Sequence, residues 1–132
     1  MGAEPWSTWV PGELDPKKAL ERGRREVFTS GAYYGADEKP GTVEDALELA
    51  GESGTGSILD ITGISDEEEP GRACGLSPDD LEYFFDSLTP SKEEIEACDD
   101  LWDDIGRGCA RYIVAYQGGV PAGMMFLGYS YD

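Results

Sequence analysis

The chain has 132 residues, with twenty-eight acids against ten bases and no histidine. That length suits a single domain spanning 1–132 with one core, and three Trp, seven Tyr and four Phe exclude global disorder. The formal charge of −18 argues against direct nucleic-acid binding, whose affinity comes from Lys and Arg neutralising phosphate, and against anionic membrane surfaces for the same reason.

No run reaches the roughly 18 apolar residues of a membrane span. The opening Met-Gly-Ala-Glu-Pro-Trp has neither a basic start nor an apolar core, so no signal peptide is expected. Cys74, Cys98 and Cys109 leave one thiol over in any pairing, and no two stand at Cys-x-x-Cys spacing. Neither a disulfide framework nor a zinc site is expected, and a reducing cytoplasm fits best.

In chain order, 6–10 (Trp-Ser-Thr-Trp-Val) reads as a short strand near an edge, bounded by Pro5 and Pro11. Asp15-Pro16 supplies an N-cap and first-turn proline for a helix. Its stripe is Leu20, Gly23, Val27 and Phe28, and Gly31 is its stop. This helix holds Lys17, Lys18, Arg22, Arg24 and Arg25, half of the positive charge. Thr42 and Asp45 resemble a capping box for a helix over 43–50. The loop from Gly51 to Ser57 has the glycine density of a phosphate loop but lacks its lysine and spacing.

The segment 57–62 (Ser-Ile-Leu-Asp-Ile-Thr) reads as a second strand. Asp66 to Gly71 reads as a solvated acidic loop. Ser77-Pro78 caps a third helix, with Leu81, Phe84, Phe85 and Leu88 on its apolar face. After Thr89-Pro90 a fourth helix is predicted from about Ser91 to Ile105, with Ile95, Cys98, Leu101, Trp102 and Ile105 inward. The last stretch, Ala110 to Tyr131, has Arg111 as its only charge. It predicts a hairpin of strands 111–116 and 124–130, central in the sheet, with a loop longer than two residues.

The fold class that follows is α+β. A mainly antiparallel sheet of about four strands, ending in a C-terminal β-hairpin, is covered by about four helices.

For function, the absence of histidine removes every His-dependent triad. No Asp-x-Asp-x-Asp-Gly calcium loop is present, and no cofactor or metal site is expected. Cys74, with Arg72 near it in sequence, is the one thiol with a reason to be reactive. From Asp66 to Asp104 the chain is dense in acids, and Arg72 and Lys92 are the only bases there. On the fourth helix, carboxylates four apart repel, and acids near its C-terminus oppose the dipole.

Solubility or salt tolerance accounts for acidity in general. A face kept for a basic protein partner accounts for acidity concentrated in one place. The leading expectation is therefore a non-enzymatic inhibitor, immunity-type or charge-mimic protein, a monomer or homodimer. Glu93, Glu96, Asp99, Asp100, Asp103 and Asp104 would make the contacts, with Trp102 or Tyr83 as anchors. The alternative is a small enzyme or small-molecule-binding domain with a cleft lined by Asp60, Tyr33, Tyr34 and Tyr129.

Overall fold

The C-terminal hairpin forms the middle of the sheet. The structure, a computed structural model, describes residues 5–30, 41–42, 57–106 and 108–129. Five strands are arranged in the order β1-β5-β4-β3-β2: β1 (Pro5–Pro11), β2 (Gly63–Ser65), β3 (Arg72–Gly75), β4 (Ala110–Gln117) and β5 (Val120–Tyr129). β1–β5 and β4–β5 are antiparallel, whereas β2–β3 and β3–β4 are parallel. The sheet is thus mixed, where a mainly antiparallel one was expected.

The hairpin turn is tighter than the sequence suggested. Gln117 pairs with Val120, so Gly118 and Gly119 alone make the turn. Their φ values of +60° and +80° give the type I′ twist that matches paired strands. Pro121, which had suggested a longer loop, is accommodated by a register shift at Ala115/Tyr116, where Pro121 pairs with Tyr116 and Gly123 with Ala115.

β1 lies on the outer edge against β5. Gly12 N–H donates to Ala122 O at 2.8 Å, which sets the alternation along the pair. Even-numbered residues of β1 bond inward, and Pro5, Ser7, Trp9 and Pro11 face outward.

The strand predicted over 57–62 does not form. Ile58–Asp60 make a 3-10 turn, capped by Ser57, whose Oγ accepts from Leu59 N–H. Ile58, Leu59 and Ile61 are buried. A short apolar run satisfies either a strand or a buried turn, and periodicity alone does not separate them. The second flanking position goes to β2 and β3, too short to leave a periodic signal.

Helix α1 (Pro16–Ser30) covers one face. Asp15 caps it as predicted, its Oδ1 accepting from Lys17 N–H at 2.9 Å. Its buried Ala19 and Leu20 meet Trp6, Val10, Ala73, Ala110, Met124 and Phe126, with Val27 at the margin. The other face is covered by α2 (Pro78–Phe85), α3 (Lys92–Glu96) and α4 (Asp99–Asp104). There Ile95, Leu101 and Ile105 pack on Ile113, Met125 and Leu127. The predicted helix over 43–50 lies outside the described residues.

The single helix predicted from Ser91 to Ile105 is two helices. Ser91 caps the first in a reciprocal box with Glu94, and the chain breaks at Ala97–Cys98. The break relieves like-charge strain. Glu96 and Asp100 no longer share one helix, and Asp99 and Asp100 become first-turn acids of α4, where the dipole favours them.

Gly119→Val forces a β-branched residue to φ near +80° and should lower stability by about 1–2 kcal/mol, whereas Gly119→Asn should cost less than about 1 kcal/mol. Urea unfolding of both variants checks it, and equal losses would rule out the type I′ geometry.

Candidate protein-binding surface

Arg111, the lone charge of the hairpin, organises the face that α2, α3 and α4 cover. Its side chain is 9% exposed. Nε donates to Cys74 O at 3.0 Å, and Nη2 donates to Gly75 O at 3.3 Å. These carbonyls belong to the last two residues of β3. Nη2 also donates to Asp80 Oδ2 at 3.3 Å, and Nη1 to Asp104 Oδ2 at 3.5 Å. Asp80 lies in the first turn of α2, where its Oδ2 also accepts from Ser77 N–H at 3.2 Å. Asp104 ends α4. One planar guanidinium therefore ties β4 to β3 and to two helices.

The parts of this brace differ in weight. Asp80 and Asp104 are 43% and 56% exposed, so each ion pair is worth at most about 1 kcal/mol. The bonds to carbonyls come from a buried charged donor, each worth roughly 1.5–3 kcal/mol. The carbonyl bonds dominate.

Outside this brace the layer is acidic and open. Glu93, Glu94, Glu96, Asp99, Asp100, Asp103 and Asp104 are all exposed, as is the loop 66–70. Among the described residues, the cations that reach this acidity are Arg111 and Lys92, which pairs with Glu96 at 3.2 Å. Lys92 also sits 5.7 Å from the Trp9 ring centre. The arginines of α1 are on the opposite face, where Arg22 pairs with Glu26, Arg25 pairs with Glu21 and Arg24 donates to Leu59 O. They do not neutralise the acidic layer.

The two anchors predicted from sequence differ in setting. Tyr83 on α2 is 80% exposed, with its ring edge-on to Phe84 at 5.0 Å. Trp102 is half-buried and stacks edge-on against Tyr129 at 5.6 Å. Tyr83 stands free, while Trp102 belongs to the margin of the core. Leu88 adds a second exposed apolar side chain just after α2.

Of the residues expected to line a cleft, Tyr129 is the one whose side chain is described. Tyr129 packs in the α2–α4 core. Tyr33 and Tyr34 lie outside the described residues, as does the side chain of Asp60.

Cys74 is buried beside Arg111. Burial pushes its thiol up; Arg111 opposes this, and Glu68, Asp80 and Asp66 add to it. The activation expected from Arg72 is not found. Burial and Glu68 raise Cys109 in the same direction. Among the described residues no three His, Cys, Asp or Glu gather as a metal-holding group, and no helix is long and apolar enough to cross a membrane.

No protein-family model, curated protein or solved structure matches this chain.

Arg111→Met should lower unfolding free energy by about 2–4 kcal/mol, and Asp104→Asn by less than about 1 kcal/mol. Urea denaturation of the two variants tests the division, and losses of equal size would show that the ion pairs carry the brace. Cys74 and Cys109 depart upward from an ordinary thiol value of 9.0, and burial raises Tyr112 above 10.0. The folded chain holds these protons more tightly than the unfolded one. Their contribution is complete below pH 9.0 and is lost as pH rises through the higher native values. The urea midpoint should therefore fall between pH about 8.5 and about 10.5, and a flat profile would contradict the burial of these groups.

Proposed function

We propose that this protein is a non-catalytic binding module that engages a basic protein partner through the layer formed by α2, α3 and α4, acting as an inhibitor, immunity-type factor or charge mimic. The observation that carries this reading is the segregation of charge. Exposed carboxylates crowd one layer with few cations in reach, while the bases of α1 lie across the sheet. Solubility alone asks for no such division, since dispersed charge dissolves a protein equally well.

Two further features support the reading. α4 ends in Asp103 and Asp104 with no basic residue in its last turn, a placement that opposes its dipole. An arriving cation answers that cost. Tyr83 and Leu88 present exposed apolar area beside the carboxylates. An aromatic anchor within a charged surround is how many interfaces divide affinity from steering.

Glu93, Glu96, Asp99, Asp100 and Asp103 would steer and orient the partner. Asp104 would do less, because Arg111 already engages it. Raising salt from about 0.05 M to about 0.3 M should slow association at least tenfold. Asp99→Lys with Asp103→Lys should remove most of that salt dependence. Tyr83→Ala should weaken the complex by about 2 kcal/mol, mainly through dissociation. Capture from lysate at low salt, followed by surface-plasmon kinetics of the recovered protein, measures all three. Recovery of only neutral or acidic proteins, or kinetics indifferent to salt, would overturn the reading.

A further inference from the structure

The strongest unassigned feature lies on the opposite side of the sheet. Between α1 and the β2–β3 edge is a cavity of about 640 Å³, within the range of small-molecule sites. Among the described residues, Lys17, Arg24, Arg25 and Arg72 line it with one carboxylate, Glu21. A chain of net charge −18 thus places four of its ten bases around one hollow.

The position of each cation follows from the fold. Lys17, Glu21, Arg24 and Phe28 recur at three- and four-residue steps and so share one side of α1. Arg24 Nη2 donates to Leu59 O at 3.0 Å, which holds its guanidinium against the 3-10 turn. Arg25 pairs with Glu21 at 3.1 Å on an exposed surface. Among the described residues Lys17 and Arg72 form no ion pair. Arg72 stands opposite Gly63 in the β2–β3 register. A side chain at Gly63 would collide with the Arg72 guanidinium, so glycine there is what lets Arg72 lie over β2. Leu20, Phe28 and Ile64 supply an apolar lining.

We infer that this cavity binds a small soluble oxyanion, a phosphate monoester or a carboxylate, carrying an apolar body. The forked donors of the arginines match oxyanion geometry, and the apolar lining asks for more than an inorganic ion. Small size follows from the field of the whole molecule. A polyanion extends beyond the cavity and meets the net negative charge, whereas a compact ligand meets a lining in which cations outnumber the carboxylate of Glu21. The site is independent of the acidic layer.

Phenyl phosphate, inorganic phosphate and phenol, each titrated into the 15N-labelled full chain, test it. Phenyl phosphate should saturate one site with Kd below about 1 mM and shift the amides of Lys17, Gly63 and Arg72, and inorganic phosphate should bind at least about tenfold more weakly. Phenol should not saturate. Arg72→Glu and Lys17→Glu change exposed side chains and should each weaken phenyl phosphate at least about tenfold, with the urea midpoint unchanged. Gly63→Ala, which displaces Arg72, should weaken it as well. The inference is overturned by no saturation up to about 20 mM, by equal binding in both charge variants, or by an oligonucleotide outcompeting phenyl phosphate for the same amides.

Discussion

A guanidinium buried against the end of a strand is the constraint from which the rest of one face follows. The side chain of Arg111 is largely shielded from solvent, so its donors need acceptors from its surroundings. It finds them in two carbonyls of β3 and in one carboxylate from each of α2 and α4. β3 is only Arg72–Gly75, with few ladder bonds of its own, and the side chain of Arg111 makes up part of the deficit. Lysine could not replace it, because a single ammonium offers three donors at one point and not a planar fork. The same cation allows two acidic helix ends to approach the sheet. Without it, the crossover from β3 to β4 would bring Asp80 and Asp104 together with no cation between them.

Across the sheet the electrostatics reverse. The acidic helices and the basic cavity lie on opposite faces of the sheet. The two faces therefore differ in the sign of their local charge. The sheet is apolar on both sides in its middle strands and supplies the low-dielectric wall between them. This arrangement reconciles a strongly acidic chain with a concentration of arginine and lysine at one hollow.

Much of this was legible in residue order, for identifiable reasons. Asp15-Pro16, Ser77-Pro78 and Ser91 announce helix starts because capping chemistry is local. The hairpin announces itself because uncharged β-branched and aromatic residues accumulate there. What was not legible depended on distant partners. Ile58 and Leu59 become a buried turn because α1 packs on it. β3, reading Arg-Ala-Cys-Gly, has little strand propensity and exists because β4 pairs with it. The break at Ala97–Cys98 has no Gly or Pro to mark it. Lys17 and Arg24 were visible as a basic helix side. Their convergence with Arg72 required the β2–β3 register, which no local pattern encodes.

The outer rim of the sheet bears on how this protein behaves when crowded. Strand borders are where neighbouring molecules knit together, one backbone donating to the next. Along β1 the outward positions are Pro5, Ser7, Trp9 and Pro11, so imide nitrogens stand at both ends and two amides remain between them. At the far border β2 is three residues long. Neither margin offers a template long enough for fibrillar growth, and solutions of the folded chain should concentrate without seeding cross-strand aggregates.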